Sequence, residues 1–210
     1  MRSKLTLGMF ASLTLSVLAS GCGEYVEQGR SPARVVIGVL EAASGAKPAE
    51  FGGVLNSDVV TNISKTVNSV QVLVPTIFGD LARVSMTLVL RDQGQGTTVN
   101  TPSALNQVTF TRYRVTYRRA DGRNTPGVDV PYAFDSATTF TVPATGIATA
   151  NIELVRHTAK EEAPLAALAS NATIISTIAD ISFYGRDLAG NDVTVTGSIG
   201  IFFGNFGDPN

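Results

Sequence analysis

Cys22 is the only cysteine among the 210 residues, and it directly follows an apolar leader. Arg2 and Lys4 make a short positive segment, residues 5–18 carry no charge, and small residues precede the cysteine. This layout is typical of a secretory signal peptide over residues 1–21, because the apolar run is shorter than the ~20 residues that a membrane-spanning helix needs. A single thiol also excludes a disulfide within the chain, so the hydrophobic core must supply its stability.

The segment from Leu18 to Cys22, with the sequence LASGC, resembles the lipobox of bacterial lipoproteins. Ala19 stands where that family usually has leucine, and a plain signal peptide with an unmodified Cys22 is the alternative. The resemblance implies that Cys22 becomes the mature N-terminus and carries a diacyl or triacyl modification such as palmitate. Two or more acyl chains give stable membrane attachment. Gly23, which is not the aspartate of inner-membrane retention, implies the outer membrane rather than the inner one.

The rest of the chain divides into a short polar segment and a long domain. Residues 22–33 are polar with glycine and proline, and they are expected to form the lipidated N-terminus and a flexible tether. Residues 34–210 are enough for one sizeable core. Removal of the basic leader leaves a small excess of acidic residues, so the composition excludes the electrostatic footprint of a nucleic-acid-binding protein.

Apolar residues alternate with polar ones along most of this domain. The alternation is clearest at Val84–Leu90, Tyr113–Tyr117, Ile147–Arg156 and Val193–Phe203. Period-two patterns of β-branched and aromatic residues predict antiparallel strands with one buried face. Turn-forming glycine, proline and aspartate separate the strands, which together predict an all-β antiparallel β-sandwich.

Two irregularities interrupt the predicted strands. The buried parity changes near Thr111–Arg112, which predicts a β-bulge or a bend. Only Thr158–Ser170 has a helical pattern, and Pro164 limits it to a turn or two, so we expect a short helical crossover between strands.

The last predicted hairpin, Ile181–Phe203, is similar to that of bacterial immunoglobulin-like and fibronectin type III-like domains. The nearest match is the turn from Asp187 to Asn191, DLAGN, and the run from Pro143 to Thr149 is similar to one in invasin-type repeats. The resemblance implies an elaborated immunoglobulin-like sandwich that serves adhesion, docking or spacing. It implies no activity, and it leaves open whether residues 34–80 form a separate β unit.

Candidate chemical sites are few. His157 is the only histidine, without a G-x-S-x-G elbow in the sequence, and a solvated histidine at a strand end is the simpler interpretation. One histidine and no spare cysteine exclude a conventional zinc site within the chain. Asp187, Asn191 and Asp192 crowd one turn, where calcium binding and ordinary turn hydrogen bonding are alternatives. No catalytic residue, metal or cofactor is therefore predicted.

A basic cluster follows one predicted strand. Its arginines alternate with Tyr113, Val115 and Tyr117, so they are expected on the solvent face. Arginine grips phosphate and carboxylate bidentately, which would suit an anionic glycan or lipid, whereas a charged outer face that discourages aggregation is the simpler alternative. The cluster comprises Arg112, Arg114, Arg118, Arg119 and Arg123.

These features predict a lipid-anchored protein of the bacterial cell envelope that is not an enzyme. Its β domain is expected to serve as an interaction, docking or spacer module, with a protein or an envelope glycan as partner. The alternative function is a glycan- or lipid-binding module that uses the arginine face.

Overall fold

The alternating segments form twelve strands in residues 30–206, the part of the chain that the computed structural model describes. The prediction of a β-rich fold with antiparallel sheets is confirmed. The strands are β1 (Ala33–Ala43), β2 (Val54–Asp58), β3 (Thr61–Val67), β4 (Val70–Thr76), β5 (Asp80–Leu90), β6 (Gly94–Gln95), β7 (Thr98–Val99), β8 (Val108–Arg118), β9 (Phe134–Val142), β10 (Ile147–Val155), β11 (Ile175–Asp187) and β12 (Asp192–Gly204).

The long strands form two sheets. Sheet A has the order β1-β5-β10, and sheet B has the order β2-β12-β11-β8-β9. Sheet A is antiparallel throughout, but β2 runs parallel to β12, so sheet B is a mixed half-barrel. The expectation of purely antiparallel pairing is wrong at this edge, because residues 44–53 carry the chain from sheet A to the edge of sheet B in the same direction as the last strand.

Side chains from both sheets form one hydrophobic core. The predicted inward positions of β5, β8 and β12 are buried, except that Leu90 and Val195 are half-buried against the core, and this confirms their period-two pattern. Burial of each large apolar side chain contributes roughly 1.5–3 kcal/mol, so this core can stabilise the domain without a disulfide. The fully buried members include Val84, Met86, Phe110, Val115, Ile181, Phe183, Ile201 and Phe203.

The predicted irregularity in β8 is a β-bulge. The pairing of β8 with β9 shifts register between Phe110 and Arg112, and its pairing with β11 shifts at the same place. The extra residue, Thr111, lets both Phe110 and Tyr113 point into the core. The bulge therefore explains the change of buried parity that the sequence shows.

The predicted helical crossover is also confirmed. A single helical turn, α1 (His157–Lys160), and a 3₁₀ helix, Leu165–Ser170, join β10 of sheet A to β11 of sheet B. Leu165 and Leu168 are buried, and Lys160 is buried with them. Within residues 30–206, no helix has the length and apolar character that crossing a membrane would require.

Candidate interaction site

Strands β3 and β4 form a hairpin that belongs to neither large sheet. Within the described residues they pair with each other as a separate two-stranded sheet. Asn68 and Ser69 have φ of 50° and 63° at the turn, as a two-residue type I′ connection requires. Residues 63–73 are all exposed, so most of the hairpin lies outside the core.

The hairpin has one apolar face. The cross-strand pairs Ile63–Val74, Lys65–Val72 and Val67–Val70 lie on the same side, because side chains alternate in direction along each strand. Val70 is 60% exposed. We call Ile63, Val67, Val70, Val72 and Val74 the hairpin apolar face.

The opposite face of the hairpin is more polar and bonds to itself. Ser64 Oγ donates to Gln71 Oε1 at 2.8 Å, and Gln71 Nε2 donates to Thr66 Oγ1 at 2.8 Å. These hydrogen bonds stabilise the pairing of two strands that would otherwise be marginal in water. Leu73, which pairs with Ser64 and is 70% exposed, is the apolar exception on this face, so the two faces of the hairpin differ in degree.

The base of the hairpin is attached to the domain by Asp58. Its Oδ2 accepts a hydrogen bond from Thr61 Oγ1 at 2.7 Å, and its Oδ1 accepts one from the backbone N–H of Phe206 at 3.1 Å. The carboxylate therefore joins the end of β2, the start of β3 and the segment after β12. These bonds fix the direction in which the hairpin leaves the domain.

A buried ion pair lies beneath this base. Lys160 Nζ contacts Asp80 Oδ1 at 2.9 Å, and both side chains are 0% exposed. Lys160 also donates to the backbone oxygen of Asp58 at 2.8 Å. Asp80 accepts two further hydrogen bonds, from Ser57 Oγ to Oδ2 at 2.6 Å and from Gly45 N–H to Oδ1 at 2.9 Å.

The environment of Asp80 is set by burial. Burial raises the pKa of its carboxyl above the ordinary value, and the opposing effects of Lys160, Ser57 and Gly45 do not cancel this shift. Gly45 is required for close approach, since a Cβ there would collide with the backbone oxygen of Gly79 and with Phe78. The loop after β1 can thus bring its N–H to the carboxylate.

The contact between Lys160 and Asp80 could not be predicted from the sequence. Lys160 and Asp80 are far apart in the chain, and each is surrounded by residues typical of a surface turn. A lysine in a short helical crossover is normally expected in solvent. Only the crossing of α1 over the start of β5 brings the two groups together.

A cavity of about 330 Å³ adjoins the same base. The loop after β1, strand β2 and Phe206 line it, and Asp58 contributes to its wall. Near its rim the guanidinium of Arg83 lies 4.3 Å from the ring centroid of Phe51. The lining mixes apolar groups with the charged side chains of Lys47, Glu50 and Asp58.

The predicted arginine face exists, but carboxylates lie among its charges. Tyr113, Val115 and Tyr117 point into the core, as predicted, and the β8 arginines point outward. Arg119 and Arg123 follow the strand, and the Arg119 side chain is only 17% exposed. Arg112 and Arg114 share Asp135 at 3.5 and 2.6 Å, and Arg118 pairs with Asp180 at 2.7 Å. Arg119 and Arg123 share Asp121 at 2.7 and 2.9 Å. Anion binding here stays a prediction, and these carboxylates would oppose it.

The acidic turn between β11 and β12 makes local hydrogen bonds. Asp187 accepts from Asn191 N–H at 2.8 Å and from Asn191 Nδ2 at 2.9 Å, while Asp192 pairs with Arg186 at 2.7 Å. Burial acts to raise the pKa of Asp187, but the hydrogen bonds from Asn191 hold it below its ordinary value. Residues 30–206 contain no group of three or more His, Cys, Asp or Glu that could hold a metal ion.

The remaining sequence candidates are separate from the hairpin. His157 is exposed at the start of α1. Cys22, the leader and most of the tether lie outside the described residues.

Comparison of this chain with protein-family models, curated proteins and solved structures finds no match. The hairpin apolar face is therefore the feature on which a functional assignment can rest.

Proposed function

We propose that this protein is a non-enzymatic cell-envelope lipoprotein whose β domain docks another envelope protein through the hairpin apolar face. In this proposal a signal peptide over residues 1–21 is removed, and Cys22 carries the lipid anchor. The outer membrane is the more suitable location, as Gly23 implies. The observation that carries the docking role is the exposed apolar face of β3 and β4, which pairs with no other strand of residues 30–206.

The physical support is the cost of leaving such a hairpin uncovered. A long apolar edge strand is a template for pairing with other chains, and natural proteins usually shorten, charge or cover it. Lys65 is the only charged residue between Thr61 and Thr76. Lys65 lies on the hairpin apolar face opposite Val72, so a partner that covers this face, or that adds a strand to its edge, has to pair the ammonium group or leave it at the rim.

The hairpin base and the start of β1 lie at opposite ends of sheet A. β1 begins where the tether joins the domain, at Ala33 opposite Leu90, and it ends at Ala43 opposite Leu81. Its eleven residues span roughly 35 Å. The hairpin base is near the far end, where the Gly45 N–H contacts Asp80. The hairpin thus leaves the domain at the end of sheet A opposite to the end at which β1 begins.

The finer fold assignment belongs to the same proposal. We interpret the domain as an elaborated immunoglobulin-like sandwich, and the support is that sheets A and B contribute to one core. The parallel strand β2 and the hairpin would be the elaborations. A sandwich of this kind serves as a rigid support for its loops, which suits docking better than catalysis.

A pair of charged substitutions tests the docking role. The double variant Val70→Lys and Val72→Lys should weaken complexes captured by chemical cross-linking in intact envelopes by at least about tenfold, which corresponds to ~1.4 kcal/mol. The reason is that burial of two lysines against an apolar partner is costly. Both residues are exposed, so the domain should still give a β-type circular dichroism spectrum.

Ile147→Lys combined with Leu188→Lys is the matched control, because these residues are 68% and 59% exposed but lie elsewhere. The control should leave the complexes unchanged. Equal complexes in the wild type and the hairpin variant would contradict the proposal, and so would complexes that contain only copies of this chain.

A further inference from the structure

We propose that Lys160 and Asp80 condense to an amide, so that the folded domain contains an intramolecular isopeptide cross-link between α1 and β5. This modification site is independent of the docking role. The observation behind it is a primary amine and a carboxyl group held in contact at 2.9 Å, with both side chains 0% exposed. Lys47 and Lys65, the other lysines of the described residues, are exposed.

The pair is held in one geometry from several sides. Ser57 Oγ donates to Asp80 Oδ2 at 2.6 Å, and Gly45 N–H donates to Oδ1 at 2.9 Å. The amine is oriented separately by its 2.8 Å hydrogen bond to the Asp58 backbone oxygen. Reacting atoms that are held close and aligned reach effective molarities of about 10⁵–10⁸ M, and these contacts restrict both side chains in the direction of that condition. Burial also excludes the water that would favour hydrolysis over condensation.

The reaction balances without another reactant. The Lys160 ammonium passes one proton to Asp80 Oδ1, which leaves a neutral amine and a neutral carboxylic acid. The nitrogen then bonds to Cγ, and the electrons of the Cγ–Oδ2 double bond move to Oδ2. The nitrogen gives a second proton to Oδ1, the double bond to Oδ2 forms again, and Oδ1 leaves as water. One ammonium and one carboxylate become one amide and one water.

The surrounding groups fit each stage. Negative charge develops on Oδ2, where Ser57 donates its hydrogen bond, and a donor at such a position stabilises a tetrahedral intermediate. Burial raises the pKa of Asp80, which makes the neutral acid more accessible. The amide N–H of the product keeps the Asp58 oxygen as its acceptor, and the amide oxygen keeps Ser57 as its donor.

The product also removes an electrostatic cost. A buried ion pair loses the hydration of two charges, and the mutual attraction often fails to repay that loss. An amide at the same place carries no net charge and retains the hydrogen bonds. In a chain with a single cysteine, this link would supply the covalent closure that disulfides supply in other exported domains.

Peptide mass mapping of the full-length protein tests the proposal. The purified protein is digested with trypsin under denaturing conditions, so N-terminal processing does not affect the result. We expect one branched peptide that joins the segments of Asp80 and Lys160 and is lighter than their sum by one water. In that product residues 66–83 are joined to residues 157–186, since trypsin does not cut after an amidated Lys160. A folded wild-type protein that yields only the three linear peptides 66–83, 157–160 and 161–186 would overturn the proposal.

Variants identify the residues responsible. Lys160→Arg should abolish the branched peptide, whereas Lys47→Arg, at an exposed pair with Glu50, should leave it in place. Ser57→Ala should slow its appearance on the order of 10²-fold in newly synthesised chains sampled over time from a cell-free translation reaction, as loss of one donor to a developing oxyanion does. An unchanged rate would contradict the role of Ser57, and a branched peptide in Lys160→Arg would overturn the assignment to Lys160.

Discussion

Replacement of Lys160 by methionine is expected to lower the free energy of unfolding by about 3–5 kcal/mol. The substitution leaves the fully buried carboxylate of Asp80 without its cation, and it removes the hydrogen bond to the Asp58 backbone. The loss should be larger if the pair is joined covalently, because methionine cannot form the amide and the constraint that a cross-link places on the unfolded chain disappears as well. Since small domains are stable by only about 5–15 kcal/mol, the variant should be marginal. Urea denaturation followed by circular dichroism measures the difference.

An exposed lysine provides the matched control. Lys47 pairs with Glu50 at 3.6 Å with both side chains largely in solvent, so Lys47→Met should change stability by less than about 1 kcal/mol. A loss of similar size in both variants would show that the buried pair has no special weight. A loss below ~1 kcal/mol in Lys160→Met would contradict the structural role assigned to it.

Replacement of Cys22 by serine is expected to move the protein out of the membrane fraction or leave it unprocessed. The hydroxyl cannot form the thioether to lipid, and each acyl methylene contributes about 0.8 kcal/mol to membrane binding. The loss should therefore be nearly complete. Fractionation of cells, together with metabolic labelling by a fatty-acid analogue, measures both the partition and the modification.

Gly23→Ala is the control for this experiment, because it alters the neighbouring residue and keeps the sulfur. It should retain both the label and the membrane partition. If the Cys22→Ser protein stays in the membrane fraction and still incorporates the fatty acid, the lipoprotein proposal is wrong.

The strand pattern could be predicted because it follows from local alternation. Val84, Met86 and Leu88 share one parity in the sequence and one buried side of β5 in the structure. The bulge at Thr111 was predictable for the same reason, since an extra residue shifts that parity. The parallel strand β2 was not, because five residues of mixed character do not show which neighbour they join.

The exposure of the hairpin and the contact within the ion pair could not be predicted from the sequence. Ile63 and Val67 alternate with polar residues, and so do Val70 and Val72 around Gln71. This is the pattern of a strand with one buried face. Alternation alone does not show whether another element of the fold covers the apolar side. The contact of Lys160 with Asp80 depends on how the crossover packs over β5, which no local pattern encodes.

The most direct test of the docking role is site-specific photo-cross-linking in living cells. A photoreactive residue at Val70, which is 60% exposed, is compared with one at Ile147, which is 68% exposed on β10. We expect one discrete product with another envelope protein from position 70 and no such product from position 147. The product from position 70 should be lost when Val72→Lys is added. The docking role would be contradicted by the same products from both positions, by no product from position 70, or by a product that contains only this chain.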